Sequence, residues 1–197
     1  MNQSMNYEYG LVLIGGSAGS LHVIMEMLKK IDFSLNFPVV IVVHRKPYST
    51  SVLPVLLQQF TEIEVIEIED KTDLLPNKIY IAPADYHLLF EDTKSVSLDS
   101  SEKMNYSRPS IDVTFRSAAE IFGLNLAAVL LSGANSDGVE GLKYVKINGG
   151  RVWIQNPETA EVDYMPRMAL GQVEYDLVFN PDELAELLRN LKIERDK

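Results

Sequence analysis

Three stretches of this chain are apolar without a break: Leu11-Val-Leu-Ile14, Pro38-Val-Val-Ile-Val-Val43 and Leu126 to Leu131. A strand that alternates apolar and polar residues can face water on one side. A strand with no polar side must be covered on both. Each run is followed by small or polar residues and then by apolar residues at helical spacing. After the first run these are Leu21, Ile24, Met25 and Leu28 within Ser20 to Lys30; a second helical stretch is expected from Ser49 to Phe60, with Val52, Val55, Leu56 and Gln59 along it. Buried strands alternating with amphipathic helices specify an α/β protein with a mostly parallel, doubly wound sheet, and right-handed crossovers place helices on both faces.

The remaining segments fit that frame. Glu62 to Ile68 alternates charged and apolar residues, which predicts a half-buried edge strand, and Lys78 to Ala82 follows a Pro76-Asn77 turn as another strand. Tyr86 to Phe90 and Ser95 to Leu98 flank Glu91-Asp92-Thr93-Lys94 and read as a small peripheral β-hairpin. Asp99 to Arg108 is polar and is expected to be a loop. Ser110 can cap a helix running to about Phe122, where Gly123 ends it. Further on, Gly138 to Lys146 reads as a helix, Arg151 to Gln155 as a strand, Pro166 to Gly171 as a short helix and Asp182 to Leu191 as the last helix. The 197 residues fit one domain, residues 1–197, without internal repeats.

Charge and composition narrow the functions. With 18 Lys+Arg against 28 Asp+Glu the net charge is −10, so phosphate backbones are repelled on average and nucleic acid is not an expected partner. The absence of cysteine excludes a disulfide scaffold, a thiol nucleophile and a thiolate metal site. Met1 to Tyr9 has no basic residue and no apolar core of a signal peptide, and no apolar run is long enough for membrane insertion, so a cytoplasmic location is expected.

In open parallel sheets, ligands bind beyond the carboxyl ends of the strands. The first apolar run ends in Gly15-Gly16-Ser17-Ala18-Gly19-Ser20. The spacing is not that of a dinucleotide fingerprint, and the lysine of a P-loop is missing, but Gly15, Ser17 and Gly19 fit G-x-S-x-G, a turn that lifts a serine hydroxyl into the open. The plainer alternative is a glycine-rich turn in which Ser17 only caps the helix. The second run ends at His44, which is placed to act as a base or is simply a satisfied, half-buried histidine. The third leads into Ser132-Gly-Ala-Asn-Ser-Asp137-Gly138, where Asp137 either orients His44 or caps the next helix. His22 falls on the surface of the first helix, and His87 can brace a nearby loop. Ser17, His44 and Asp137 each follow a separate buried strand of one sheet, which puts all three on one rim as a nucleophile, base and orienter require. Their order along the chain differs from the Ser, Asp, His order of α/β-hydrolases.

At these residues the chain resembles the catalytic domain of the CheB-type protein-glutamate methylesterases of bacterial chemotaxis. The segments that carry the likeness are Ile14-Gly-Gly-Ser-Ala-Gly19, Val-Val-His44, Tyr80-Ile-Ala-Pro-Ala-Asp-Tyr-His87, Arg108-Pro-Ser-Ile-Asp-Val113, Gly133-Ala-Asn-Ser-Asp-Gly138 and Gln155-Asn156. The resemblance implies a three-layer α/β/α sandwich and a triad of Ser17, His44 and Asp137. It implies an oxyanion site at the backbone N–H groups of Ser17 and Ala18, and a pocket bounded by Gly16, Gly133 and Ala134. The implied reaction is demethylation of glutamate γ-methyl esters, with deamidation of glutamine as a companion activity, on the cytoplasmic helices of methylated chemoreceptors. No cofactor and no metal are implied. No receiver domain is expected before the first strand, and a separate response regulator is a candidate partner. The family's Thr after the nucleophile and its second Gly are here Ala18 and Ser20, and its Gly-Met-Gly is Gly133-Ala134-Asn135. Ala134 keeps open an esterase or amidase acting on a non-receptor substrate; a non-catalytic receptor-binding scaffold is the other alternative. An anionic chain facing anionic receptor helices further suggests a local basic patch drawn from Arg45, Lys46, Arg108 or Arg116.

Overall fold

In the computed structural model, which describes residues 10–47 and 51–191, every residue of the three apolar runs is buried. The elements follow in the order β1 (Leu11–Gly16), α1 (Ser20–Lys30), β2 (Val39–Val43), α2 (Leu53–Gln58), β3 (Val65–Glu67), β4 (Ile79–Ile81), β5 (His87–Phe90), β6 (Val96–Asp99), α3 (Ile111–Phe122), β7 (Leu126–Leu130), α4 (Val139–Ile147), β8 (Arg151–Gln155), α5 (Tyr164–Gln172), β9 (Leu177–Phe179) and α6 (Leu184–Asn190).

Seven strands form one parallel sheet in the order β3-β4-β2-β1-β7-β8-β9. Successive side chains of a strand point to opposite faces, so each buried strand feeds two cores. On one face Leu11, Leu13, Val40, Val42, Ala128, Leu130 and Ile154 pack with Phe115 and Phe122 of α3, Leu142 and Val145 of α4 and Met165 of α5. On the other, Val12, Ile14, Val39, Ile41, Val129 and Leu131 pack with Ile24 and Met27 of α1, Leu57 of α2 and Leu184 and Leu188 of α6. The result is three layers, as the resemblance implied. A two-stranded antiparallel sheet, β5 with β6, stands apart and leans on α3 through an edge-to-face contact between Phe90 and Phe122, with ring centroids 5.5 Å apart.

The chain leaves β1 for β2, β4 and β3 on one side and returns through β7, β8 and β9 on the other. That reversal opens a crevice beyond the ends of the central strands. The register pairs Gly16 with Val43 and Gly15 with Leu130, so the residues following β1, β2 and β7 emerge at one level.

Several expectations shift in detail. The edge strand is confined to Val65–Glu67 and does lie at the sheet's margin. Of the helix expected from Ser49, residues Ser49 and Thr50 lie outside the described residues, as does Met1 to Tyr9; the described helix is Leu53–Gln58, with Pro54 in its first turn, where no intrahelical N–H bond is lost. The helix expected over Pro166 to Gly171 extends to Tyr164–Gln172, and Pro166 is again in its first turn. The last helix is entered through a 3₁₀ turn, Pro181–Glu183, with a capping box at Asn180. β9 was not expected: three residues after Tyr175-Asp176 are too short to display a period.

Candidate active site

Ser17 sits on the turn between β1 and α1. Its backbone N–H donates to Ser132 O at 2.9 Å, and its carbonyl accepts from both the N–H and the Oγ–H of Ser20. Ser132, fully buried just past β7, ties this turn down a second time: its Oγ donates to Ala18 O at 2.7 Å and accepts from Val162 N at 2.9 Å. Ser17 does not cap α1, whose N-cap is Gly19 with no side-chain cap bond. Its hydroxyl turns instead to His44.

His44 continues β2 by donating its backbone N–H to Gly16 O. Its ring lies between the other two residues, with Nδ1 3.1 Å from Ser17 Oγ and Nε2 2.7 Å from Asp137 Oδ2. An ionised carboxylate can only accept, so Nε2 carries the proton and Nδ1 presents a lone pair to the serine hydroxyl.

Asp137 is fully buried and does not cap its own helix; the N-cap of α4 is Gly138, with φ 100°. Its carboxylate crosses instead to the start of α3. Oδ2 accepts from Ile111 N at 2.7 Å, and Oδ1 from Asp112 N at 3.0 Å and from Ser110 Oγ at 2.9 Å. Burial works to raise its pKa, but the bond from His44 and the amides of Asp112 and Ile111 outweigh it, and the net shift is below the ordinary value of 3.8. The group stays ionised and holds the histidine in one tautomer.

The positions named for the pocket surround Ser17. A Cβ added to Gly133 would lie 2.5 Å from Met165 Cε and 3.0 Å from Ser17 Cβ, so the glycine lets α5 and the nucleophile turn close on each other. Gly16 is as tight: an added Cβ would lie 2.5 Å from Ser20 Cβ. Ala134 is exposed on the lip. One expectation needs correction. The Ser17 amide is bonded to Ser132 O and is not free for an oxyanion, whereas the Ala18 amide makes no hydrogen bond among the described residues. Of the candidates for a basic patch, Lys46 is exposed and the three arginines are engaged within the fold. Arg45 pairs with Glu67 and also donates to Ser51 Oγ and Ala82 O; Arg108 pairs with Asp85 and donates to the carbonyls of Ser100 and Ser101; Arg116 lies over the Tyr144 ring. His22 is exposed on α1. His87 is buried and braces the 99–108 loop, accepting from Ser110 N at 3.1 Å and donating to Glu102 O at 2.9 Å.

Sequence reasoning missed Ser132 and Asp112 as parts of this site, and Ser110 was seen only as a cap. No local pattern marks them, because the bonds that tie them into the site at Asp137, Ala18, Gly138 and Gly141 run to residues more than twenty positions away. Asn105 was passed over as one polar loop residue among many; it donates to Asp112 Oδ2 at 2.9 Å. Among the described residues no group of His, Asp and Glu side chains is arranged to hold a metal ion, and no helix is long and apolar enough to cross a membrane. A hydroxyl, a base and a buried carboxylate in line are equipped for nucleophilic acyl transfer.

Comparison with known proteins agrees with that chemistry. The profile of the CheB methylesterase family matches residues 12–188. A putative protein-glutamate methylesterase/protein-glutamine glutaminase of Leptospira interrogans is 40% identical over 187 residues, covering 95% of this chain and 96% of that one. The protein-glutamate methylesterase/protein-glutamine glutaminase of Thermotoga maritima is 34% identical over 185 residues, covering 90% of this chain and 54% of the longer protein. The crystal structure of the Thermotoga maritima CheB methylesterase catalytic domain superposes with a TM-score of 0.85, at 34% identity over 91% of this chain and 97% of that one.

Proposed function

The chain belongs to the CheB methylesterase family, and on that premise we propose that Ser17, His44 and Asp137 carry out its reaction. The activity is that of a protein-glutamate methylesterase/protein-glutamine glutaminase of the CheB type, acting in chemotaxis. The substrates we assign are γ-methyl esters of glutamate, and glutamine side chains, on the cytoplasmic helices of chemoreceptors, with the enzyme on the cytoplasmic side.

The observation that carries the assignment of roles is the placement of the His44 ring, 3.1 Å from a serine hydroxyl and 2.7 Å from a buried carboxylate. As Ser17 Oγ attacks the ester carbonyl, its proton passes to His44 Nδ1. The imidazolium so formed is held by Asp137, which remains ionised. The oxyanion falls to the free N–H of Ala18. The N–H of Ala134, next to the Gly133 that faces Ser17 and likewise without a hydrogen bond among the described residues, is our second donor in place of the Ser17 amide. His44 gives that proton to the departing methoxide oxygen, which leaves as methanol, or to the amide nitrogen of a glutamine, which leaves as ammonia. Water, activated by the same nitrogen, then cleaves the acyl-serine and leaves a glutamate. A receptor-binding scaffold would have no use for a histidine held between a hydroxyl and a buried anion.

The test is methanol release from a methyl-esterified chemoreceptor cytoplasmic fragment by the wild-type chain and by Ser17→Ala. Release by the wild type and its loss in the variant are expected. Equal release by both would overturn the assignment of Ser17, and none from the wild type would overturn the esterase reading.

A further inference from the structure

Besides Asp137, Asp112 is the only carboxylate buried among the described residues, and the reaction above makes no use of it. It lies in the first turn of α3, yet its Oδ1 accepts from Gly138 N at 2.9 Å and from Gly141 N at 2.6 Å, at the start of α4. Asp137, immediately before α4, reaches the opposite way to Ile111 N and Asp112 N at the start of α3. Each helix therefore receives its N-terminal anion from the other. The exchange requires close approach, and an added Cβ on Gly141 would lie 3.0 Å from the Cα and O of Asp112. Asn105 bridges the two carboxylates, its Nδ2 lying 2.9 Å from Asp112 Oδ2 and 3.4 Å from Asp137 Oδ1.

We propose that Asp112 is the positioning residue of the triad: its ionised carboxylate, bridged by Asn105, locks α3 to α4 so that Asp137 keeps one oxygen on His44 Nε2, and neutralising it slackens that hold. This rests on the esterase reading above.

Two adjacent buried carboxylates repel one another. They are held together because four helix-terminal amides and one side-chain amide converge on them. The titratable groups facing Asp112 are few. Asp137 approaches from the loop before α4, with His44 beyond it at the end of β2; α4 contributes backbone N–H groups, the 99–108 loop contributes the neutral Asn105, and among the described residues no cation forms an ion pair with Asp112. A proton on Asp112 Oδ2 would meet the Asn105 amide hydrogens. The amide must then turn over to accept it, which withdraws its donor from Asp137. Burial, together with the negative Asp137 and against the Gly141 and Gly138 amides and Asn105, pushes Asp112 up to about 6, so this change falls within an accessible pH range.

The experiment measures kcat and KM for methanol release from the esterified receptor fragment between about pH 5 and 9, for the wild-type chain, Asp112→Asn and Asn105→Ala, with Ser17→Ala as the blank. Asp112→Asn keeps an acceptor for the α4 amides but has no charge and no ionisation. Its kcat should fall about tenfold at pH 8 with KM within about twofold, because only positioning is lost. On the acid side the wild-type rate should fall with the uptake of two protons and that of Asp112→Asn with one. Asn105→Ala, which leaves both helix caps in place, should move the Asp112 step to higher pH. An Asp112→Asn enzyme with wild-type kcat, or with an acid limb as steep as the wild type's, overturns the inference while leaving the esterase reading intact. No methanol from the wild type overturns both.

Discussion

The buried Ser132 hydroxyl connects the nucleophile turn to the segment before α5, and Ser132→Ala removes that connection without disturbing the backbone bond from Ser17 N to Ser132 O. Three groups lose a partner, of which Val162 O keeps the Gly133 amide. Val162 N–H, half-buried, is left without its acceptor, at a cost of about 1–2 kcal/mol, and the bond to Ala18 O is worth about 1 kcal/mol more. The sum of about 2–3 kcal/mol lowers Tm by roughly 5–10 °C for a domain of this size. The catalytic effect follows from geometry. The nucleophile turn is left with one tie to Ser132, at the Ser17 amide, instead of two, and a drift of Ser17 Oγ by a fraction of an ångström away from His44 Nδ1 costs about 10- to 100-fold in kcat. Thermal melts followed by circular dichroism, with methanol release measured well below Tm, read both quantities. A kcat within twofold of wild type, in a variant whose Tm has fallen as expected, would refute the idea that Ser132 aligns the nucleophile. An unchanged Tm would refute the hydrogen-bond accounting itself.

Two further outcomes follow from packing and charge. Gly16→Ala would place a Cβ 2.5 Å from Ser20 Cβ, 2.8 Å from Ser20 Oγ and 3.2 Å from Leu131 Cβ, none of which can retreat, so a loss of about 1–3 kcal/mol and of most esterase activity should appear in the same two assays. Asp112 is raised from 3.8 to about 6 on folding; an acid shifted upward destabilises the fold progressively as pH climbs from its unfolded to its folded value, and fully above the latter. The stability of Asp112→Asn relative to wild type should therefore increase between about pH 4 and 6 and level off above, as read from paired thermal melts; a difference that is flat over that range would contradict the buried-charge argument.

The parts of the molecule that were legible beforehand are those in which burial forces a composition. β1, β2 and β7 lie in the middle of the sheet, touch both cores and cannot carry a polar residue, so they announce themselves. Ser17 and His44 were legible for the same reason, since each stands where such a strand gives out. Asp137 was placed correctly on the rim, but its local alternative, a cap on the following helix, failed because Gly138 takes that position and the carboxylate turns to α3. What could not be read was every relation that depends on which distant backbone groups come into reach. The Ser17 amide looked free until Ser132 O was seen to occupy it, and Arg45 looked like a surface cation until Glu67 and Ala82 O closed around it. β9 escaped because three residues at a sheet margin carry too little pattern to separate them from a loop.

The position of β1, β2 and β7 at the centre of the sheet also bears on how such a chain can vary. Amides of central strands are released for hydrogen exchange only when the whole domain opens, whereas hairpins and surface loops open on their own at far lower cost. The groups proposed to react are thus anchored in the part of the molecule that yields last, whereas the β5–β6 hairpin and the 99–108 loop belong to the parts that yield first. Substitutions at the exposed Tyr86, or at Met104 and Tyr106, would leave those central strands untouched. Asn105, between Met104 and Tyr106, differs from them: it extends from the exposed loop into the carboxylate pair, so a change there would be felt directly at the chemistry.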